Sequence, residues 1–298
     1  MDRLDVMKLY CCIIETGQLS LAAERMNLSK GTVSKQLAAL ERYLGGRLLN
    51  RTTRRLAPTE AGINYYERAK QILESVAEAE CVVTGLTTEP QGTLKINAPM
   101  AFGSHHLGEL LAQYQQKYPN VDVNISLSDR QVDIVEEGYD VVLRIAILSD
   151  SSLIVRRLAP CHIVMCASPD YLAQKGEPQS PEELKNHNCL HYTYANSCKY
   201  WTLIDQAGEE KQIPVSGGLQ ANNGYLICDA MEAGMGITLL PRFIVENSLQ
   251  RGKAQIILPE WQPKSRDISL LYPSNKHLSA KVRTFVDMSV EYFHDKFN

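Results

Sequence analysis

No apolar run in this 298-residue chain approaches the roughly 18 residues that a membrane span requires. The first ten residues mix polar and apolar types, without the continuous hydrophobic stretch and small-residue cleavage site of an export leader. Together these absences predict a cytoplasmic protein with no membrane partner. The eight cysteines make up under 3% of the chain and include no C-x-x-C pair, so reduced thiols are expected rather than a disulfide scaffold. Also missing are G-x-S-x-G, a Walker loop and H-E-x-x-H, and no acid/base pair stands out. Nothing in the chain therefore marks an enzyme or a cofactor site.

What is present is an ordinary globular composition, 44% hydrophobic and 22% charged, in a length that suits two domains. The net charge of −3 conceals a polarity. Residues 1–60 carry ten Lys/Arg against six Asp/Glu, a net +4, whereas the rest of the chain carries a net −7. Within 30–55 seven basic residues face the single Glu41. A basic head on an acidic body predicts a polyanion as the partner of the head.

The head reads as helical. Leu4, Met7, Cys11 and Ile14 step by three and four, with Val6, Tyr10 and Ile13 on an adjoining face, which predicts a helix buried on more than one side. Gly17 ends it, and Ser20 is the expected N-cap of a short second helix carrying Ala22, Ala23 and Met26. Asn27 suits the left-handed turn that follows, and Ser29 caps a third helix on which Val33, Leu37, Leu40 and Leu44 recur. That is the pattern of a helix-turn-helix. Turning about 100° per residue from Val33 leaves Gly31, Ser34, Lys35, Ala38 and Arg42 facing outward, with Thr32 beside them. Such a short-chained basic face suits a DNA major groove. After Gly45-Gly46, residues 47–50 and 53–58 are expected to form a two-stranded wing with Arg51 and Arg54 near its tip, placed for phosphates or a narrow minor groove.

From residue 59 a helix is expected in which Tyr65, Ala69, Ile72, Val76, Ala79, Val83 and Leu86 form a heptad seam. A seam of that length calls for an apolar partner, and a second copy of the same helix is the expected one. Residues 87–92 (TTEPQG) break the periodicity and mark a hinge.

Beyond the hinge the period changes. Alternating strands are predicted at 94–98 and 121–127, with a helix over 102–118 between them. A short helix is expected at 132–137 and an apolar strand at 140–147, and a second α/β set begins at 161. The alternation implies a mostly parallel sheet in each of two α/β halves with a cleft between them. Ligands in such folds sit beyond the carboxyl ends of strands, where helix N-termini favour anions. Two strand-to-helix joints fit that description. One contains Met100, Ala101, Phe102 and Ser104, the other Asn222, Asn223 and Gly224. Ser128 and the aromatic Tyr200 and Trp201 complete a candidate effector site suited to a small aromatic or hydrophobic acid.

The runs Leu19-Ser-Leu-Ala-Ala23, Val33-Ser-Lys-Gln-Leu37, Leu48-Leu-Asn-Arg-Thr-Thr-Arg54 and Thr59-Glu-Ala-Gly62 resemble the N-terminal domain of LysR-type transcriptional regulators. In the body, Glu137-Gly-Tyr-Asp140, Arg144, Cys166-Ala-Ser-Pro169, Glu232-Ala-Gly234-Met-Gly236 and Leu240-Pro241 are similar to that family's effector domain. The resemblance implies a winged helix-turn-helix over 1–58, a dimerising linker helix over 59–86 and a two-lobed α/β effector domain over 93–298 like that of periplasmic solute-binding proteins. Lobe I would be 93–160 with 266–298, and lobe II 161–265. It further implies a homotetramer that binds double-stranded promoter DNA and bends it under the control of a small inducer. Carried over by position, Ser29, Lys30, Thr32, Ser34, Lys35 and Gln36 lie on the reading helix, and Arg51 and Arg54 on the wing. Lys35 stands where many members have Arg, and a lysine lacks the fork that pairs with guanine.

Three alternatives compete. His187, Cys189 and His191 alternate as a metal-binding strand would, but the turn expected at 186–188 breaks that geometry, so no metal is predicted. Cys189 and Cys198 are nine apart, as in peroxide-sensing members of the family, which admits a redox-sensing regulator. A solute-binding protein would share the body's fold, yet it would need an export signal and would have no basic head.

Overall fold

The computed structural model describes residues 2–52, 55–84, 89–146, 153–194, 199–264, 266–274 and 278–297. The chain divides into two units, Met1–Glu89 and Pro90–Asn298.

The first unit opens with α1 (Arg3–Thr16), α2 (Leu19–Arg25) and α3 (Lys30–Leu44). Asp2 caps α1 by accepting the Leu4 N–H at 3.0 Å, and Gly17 closes it at φ 66°. The N-cap of α2 is Gln18, without a side-chain bond, rather than Ser20; the helix starts two residues early and Ser20 falls inside its first turn. Asn27 takes the left-handed conformation at φ 52°. Ser29 Oγ then accepts the Thr32 N–H at 3.1 Å and starts α3. Strands β1 (Leu49–Thr52) and β2 (Arg55–Pro58) pair antiparallel as the wing. Glu41 holds the wing to α3 by accepting the Leu48 and Leu49 N–H groups at 2.9 and 3.2 Å. Val6, Leu9, Tyr10, Ile13, Val33, Leu37 and Leu49 form the core.

Helix α4 (Glu60–Thr84) follows, capped by Thr59, whose Oγ1 accepts the Gly62 N–H at 3.0 Å. Part of the expected seam is used inside the unit. The Tyr65 ring packs edge-on against Tyr10 at 5.4 Å, and Ala69 is buried. Ile63 and Ile72 remain 48% and 44% exposed. The side chains of Ala79 and Val83, and Leu86 itself, lie outside the described residues.

The second unit has two lobes. In lobe I, β3 (Gly92–Ala98), α5 (Met100–Lys117), β4 (Val121–Leu127), β5 (Val141–Ala146) and β6 (Leu153–Cys161) are joined by the late β15 (Arg266–Pro273) and α9 (Ala280–Phe297). The sheet order is β4-β3-β5-β15-β6. In lobe II, β7 (Ile163–Ala167), α6 (Pro169–Lys175), a 3-10 helix (Pro181–Asn186), β8 (Cys189–Tyr192), β9 (Tyr200–Ile204) and β10 (Glu210–Pro214) come first. They are followed by β11 (Gln220–Ala221), α7 (Gly224–Glu232), β12 (Ile237–Pro241), α8 (Arg242–Gln250), β13 (Gln255–Ile256) and β14 (Gln262–Pro263). The main lobe II sheet runs β11-β8-β12-β7-β13, beside the small sheet β10-β9-β14.

Both main sheets are mixed rather than mostly parallel. β3 pairs parallel with β4 and β5, whereas β15 pairs antiparallel with β5 and β6. In lobe II, β8 is parallel to β11 and β12, and β7 is antiparallel to β12 and β13. The chain leaves lobe I along β6, which runs in the direction of β3, β4 and β5, and returns along β15, which lies between β5 and β6 and runs the opposite way. A second departure concerns residues 132–137, which form turns instead of a short helix. Asp133 Oδ1 accepts the Val135 and Glu136 N–H groups at 2.9 Å each, and Gly138 at φ 70° ends the segment before a helix can propagate.

Candidate functional site

In the first unit, the residue types on α3 follow from its packing. Val33, Leu37 and Leu40 are buried, which turns Lys30, Gly31, Lys35 and Arg42 to solvent and leaves Thr32, Ser34, Gln36 and Ala38 half-buried along the same edge. Ser29 is also exposed, and its hydroxyl pairs with Thr32 Oγ1 at 2.8 Å, so both hydroxyls begin engaged in the cap. Arg51 lies on β1, while Arg54 lies outside the described residues. The exposed positions are small or basic, without a carboxylate among them. That surface can approach an acidic groove closely and supply charge at its edges.

In the second unit, a cavity of about 970 Å³ lies between the lobes. Of the predicted effector residues, Ala101, Phe102, Tyr200, Trp201 and Gly224 line it. Met100, Ser104, Ser128, Asn222 and Asn223 do not. Ser104 is exposed and donates back to the Met100 carbonyl at 2.8 Å, on a turn of α5 that faces away. Ser128 Oγ faces the Arg130 N–H, and Asn222 is exposed.

Both helix starts that were expected to receive an anion already have acceptors. The Met100 N–H donates to Asp129 Oδ2 at 3.2 Å, and Asn223 Oδ1 accepts the Tyr225 and Leu226 N–H groups at 2.9 and 3.2 Å. The two starts also touch across the lobes, through Asn223 Nδ2 and Met100 Sδ at 3.1 Å and through Tyr225 OH and His105 Nδ1 at 2.8 Å.

Sequence reasoning did not assign the charges that set the character of the cavity. Asp129 and Arg144 line it, together with Tyr192 from lobe II. Arg144 donates to Asn97 Oδ1 at 2.8 Å and to the Leu143 and Arg130 carbonyls at 3.1 and 3.0 Å. Asn97 is fully buried and its amide donates to the Ser126 carbonyl, which fixes the arginine's angle. Burial pulls the Arg144 guanidinium below the ordinary arginine range, and burial raises the Tyr192 hydroxyl. One signal was available in the sequence. Arg144 interrupts an otherwise apolar strand, and Asp129 stands just past the carboxyl end of β4, where ligands of such sheets gather. His106, outside the lining, packs on Phe102 and Phe243, and partial burial lowers its pKa to about 4.

The thiols give no reactive site among the described residues. Cys189 is fully buried, its pKa pushed up to about 12 by burial, with Sγ 3.6 Å from the Leu184 carbonyl. Cys198 lies outside the described residues. His187 bonds Tyr171 at 3.2 Å and His191 packs on Trp201, and no group of three metal-ligating side chains occurs among the described residues.

Comparison with known proteins ties the two units together. Residues 4–63 match the bacterial regulatory helix-turn-helix model of the lysR family, and residues 87–294 match the LysR substrate binding domain. The chain belongs to the LysR family of transcriptional regulators. An HTH-type transcriptional regulator of Haemophilus influenzae is 36% identical over 282 residues, covering 95% of this chain and 98% of that protein. The regulator CrgA of Neisseria meningitidis is 34% identical over 286 residues, 96% of this chain and 95% of its own. The CrgA structure superposes with a TM-score of 0.61 over 97% of this chain and 98% of that one. The full-length virulence activator AphB of Vibrio cholerae, 29% identical, gives a TM-score of 0.60 over 98% of this chain and 100% of its own. As in other LysR-type regulators, a winged helix-turn-helix precedes a two-lobed α/β effector-binding domain. No described helix is long and apolar enough to cross a membrane.

Proposed function

We propose that this LysR-type regulator acts in the cytoplasm, without catalytic activity, by binding double-stranded promoter DNA through α3 and the β1–β2 wing. Ser29, Lys30, Thr32, Ser34, Lys35, Gln36, Arg51 and Arg54 are the contacting residues. Two chains pair along α4, and two such dimers form the DNA-bending homotetramer. A small-molecule effector in the interlobe cleft changes the bend. The observation that carries this reading is the exposed, carboxylate-free edge of α3 in a family of DNA-binding regulators. Exposed Ile72 on α4 supports the pairing, because an apolar side chain there gains by contact with a second copy. The deciding experiment is a mobility shift with the promoter of the adjacent divergent gene. A retarded complex that Lys35→Ala weakens is the expected result, and no retardation with that fragment argues against the DNA assignment. A thiol-switched version of the regulator now depends on Cys198, since Cys189 is a buried, protonated thiol.

A further inference from the structure

Four contacts between the lobes start from the first two turns of α5. Met100 Sδ meets Asn223 Nδ2 at 3.1 Å, and His105 Nδ1 meets the Tyr225 hydroxyl at 2.8 Å, both at the start of α7. Phe102 and His106 pack edge-on against Phe243, in the first turn of α8, at 5.7 and 5.2 Å between ring centres. Two adjacent histidines thus touch lobe II in different places, because a helix turns them about 100° apart. His105 faces α7 and is exposed, while His106 faces α8 and is half-buried.

Both rings occupy positions that suit a neutral imidazole. A neutral His105 can accept the Tyr225 hydroxyl hydrogen at Nδ1, and a protonated ring has no lone pair there. His106 lies between Phe102, at 4.8 Å on its own helix, and Phe243. The charges that act on it among the described residues are both cationic, Lys296 of α9 and His105 itself, whose ring is 5.8 Å away. Lys296 is shared with Glu109 at 3.8 Å, and that carboxylate also accepts the Tyr292 hydroxyl at 2.6 Å. From α8, Arg242 beside Phe243 is paired with Glu246 at 2.8 Å. A proton on His106 would therefore place a third positive group beside two others, against aromatic rings.

We propose that His105 and His106 form a proton-operated latch between the lobes: protonation drives His106 away from Phe243 and releases Tyr225 from His105, and lobe II turns on the two chain crossings, after β6 and before β15. Acidity is then an input to this domain separate from any ligand, and the latch does not depend on the cavity being an effector site. The sign follows from His106. Held between the lobes it takes up its proton near pH 4, and in water near 6.5. Above 6.5 the contact is undisturbed, and as the pH falls towards 4 the separated lobes gain. At pH 5 full exposure of His106 would favour separation by about thirtyfold.

The test is intramolecular energy transfer in the full-length protein. Lys117 at the end of α5 and Arg251 after α8 are exposed, and each can be replaced by a noncanonical residue carrying a pH-insensitive dye. Excess unlabelled chain keeps the signal within one molecule. Between pH 7 and pH 4.5 the transfer should change reversibly, with far-UV circular dichroism constant. His106→Leu should hold the neutral value throughout, and His106→Lys should give the acid value at pH 7. If either variant fails to fold, His106→Gln replaces it as the unresponsive ring, and Tyr225→Phe, which lacks only the hydroxyl, should part at a higher pH than the parent chain. A transfer that stays constant in the parent chain overturns the latch. So does an acid response that His106→Leu keeps in full, or one that appears only as the circular dichroism is lost.

Discussion

The Tyr10 hydroxyl donates to the Gly62 carbonyl at 3.0 Å, joining the middle of α1 to the first turn of α4. The Gly62 backbone can lie so close to the Leu48 backbone and the Tyr10 ring because Gly62 has no side chain. A Cβ there would lie 2.1 Å from the Leu48 carbonyl oxygen and 2.6 Å from the Tyr10 hydroxyl. Gly62→Ala should therefore destabilise the first unit by about 1–3 kcal/mol through overpacking, and Tyr10→Phe by about 1 kcal/mol through the lost buried bond. Urea unfolding of the full chain checks both, and an Ala variant as stable as the parent chain contradicts the close approach.

Lys35 is exposed on the outward edge of α3. If its ammonium contacts a phosphate, Lys35→Ala should weaken promoter binding on all sequences alike and lower the salt slope by roughly one unit. Titrations at several salt concentrations measure this, and an unchanged slope would remove Lys35 from the interface.

Along α4, neighbouring seam positions should respond differently. Ile72 is 44% exposed in the single chain, so Ile72→Glu should leave the fold intact and abolish the pairing proposed along α4. Ala69 is buried in the head's own packing, so Ala69→Glu should unfold the first unit instead. Sedimentation velocity with circular dichroism separates the two outcomes.

His106 is half-buried, with Phe102, Phe243, His105 and Lys296 around it, and loss of solvent lowers its pKa from 6.5 to about 4 in the folded chain. Between those values the unfolded chain binds the extra proton and the folded chain does not, so stability rises with pH across the window and is lost on acidification. Melting temperatures taken from pH 7 down to pH 4 should fall for the parent chain and fall less for His106→Leu. Parallel curves would show that another group controls the transition.

Local chemistry made much of the head legible in advance. The caps at Ser29 and Thr59, the left-handed Asn27 and the inward Val33, Leu37 and Leu40 each depend on residues a few positions away. What the sequence hid was set at longer range. The partner of Tyr65 is Tyr10, fifty-five positions earlier, so a heptad rule alone assigned that tyrosine to a second chain. The two helix starts expected to bind an anion have their N–H groups taken by Asp129 and Asn223, one of them from the end of a neighbouring strand. Arg144 depends on Asn97, which only the pairing of β3 with β5 brings near. Such pairings leave no trace in periodicity.

The position of β15 bears on how the protein is made. It lies between β5 and β6 in the lobe I sheet although it is the last strand of the chain, and α9 follows it. During synthesis the head and lobe II can complete their sheets while lobe I still lacks an interior strand, with the facing edges of β5 and β6 unpaired. A message broken after residue 264 would thus yield a product with an intact head and a half-built lobe, a target for proteases and for aggregation. Full-length chains pass through the same state briefly, and closing it requires β15 to insert between two strands that were translated more than a hundred residues earlier.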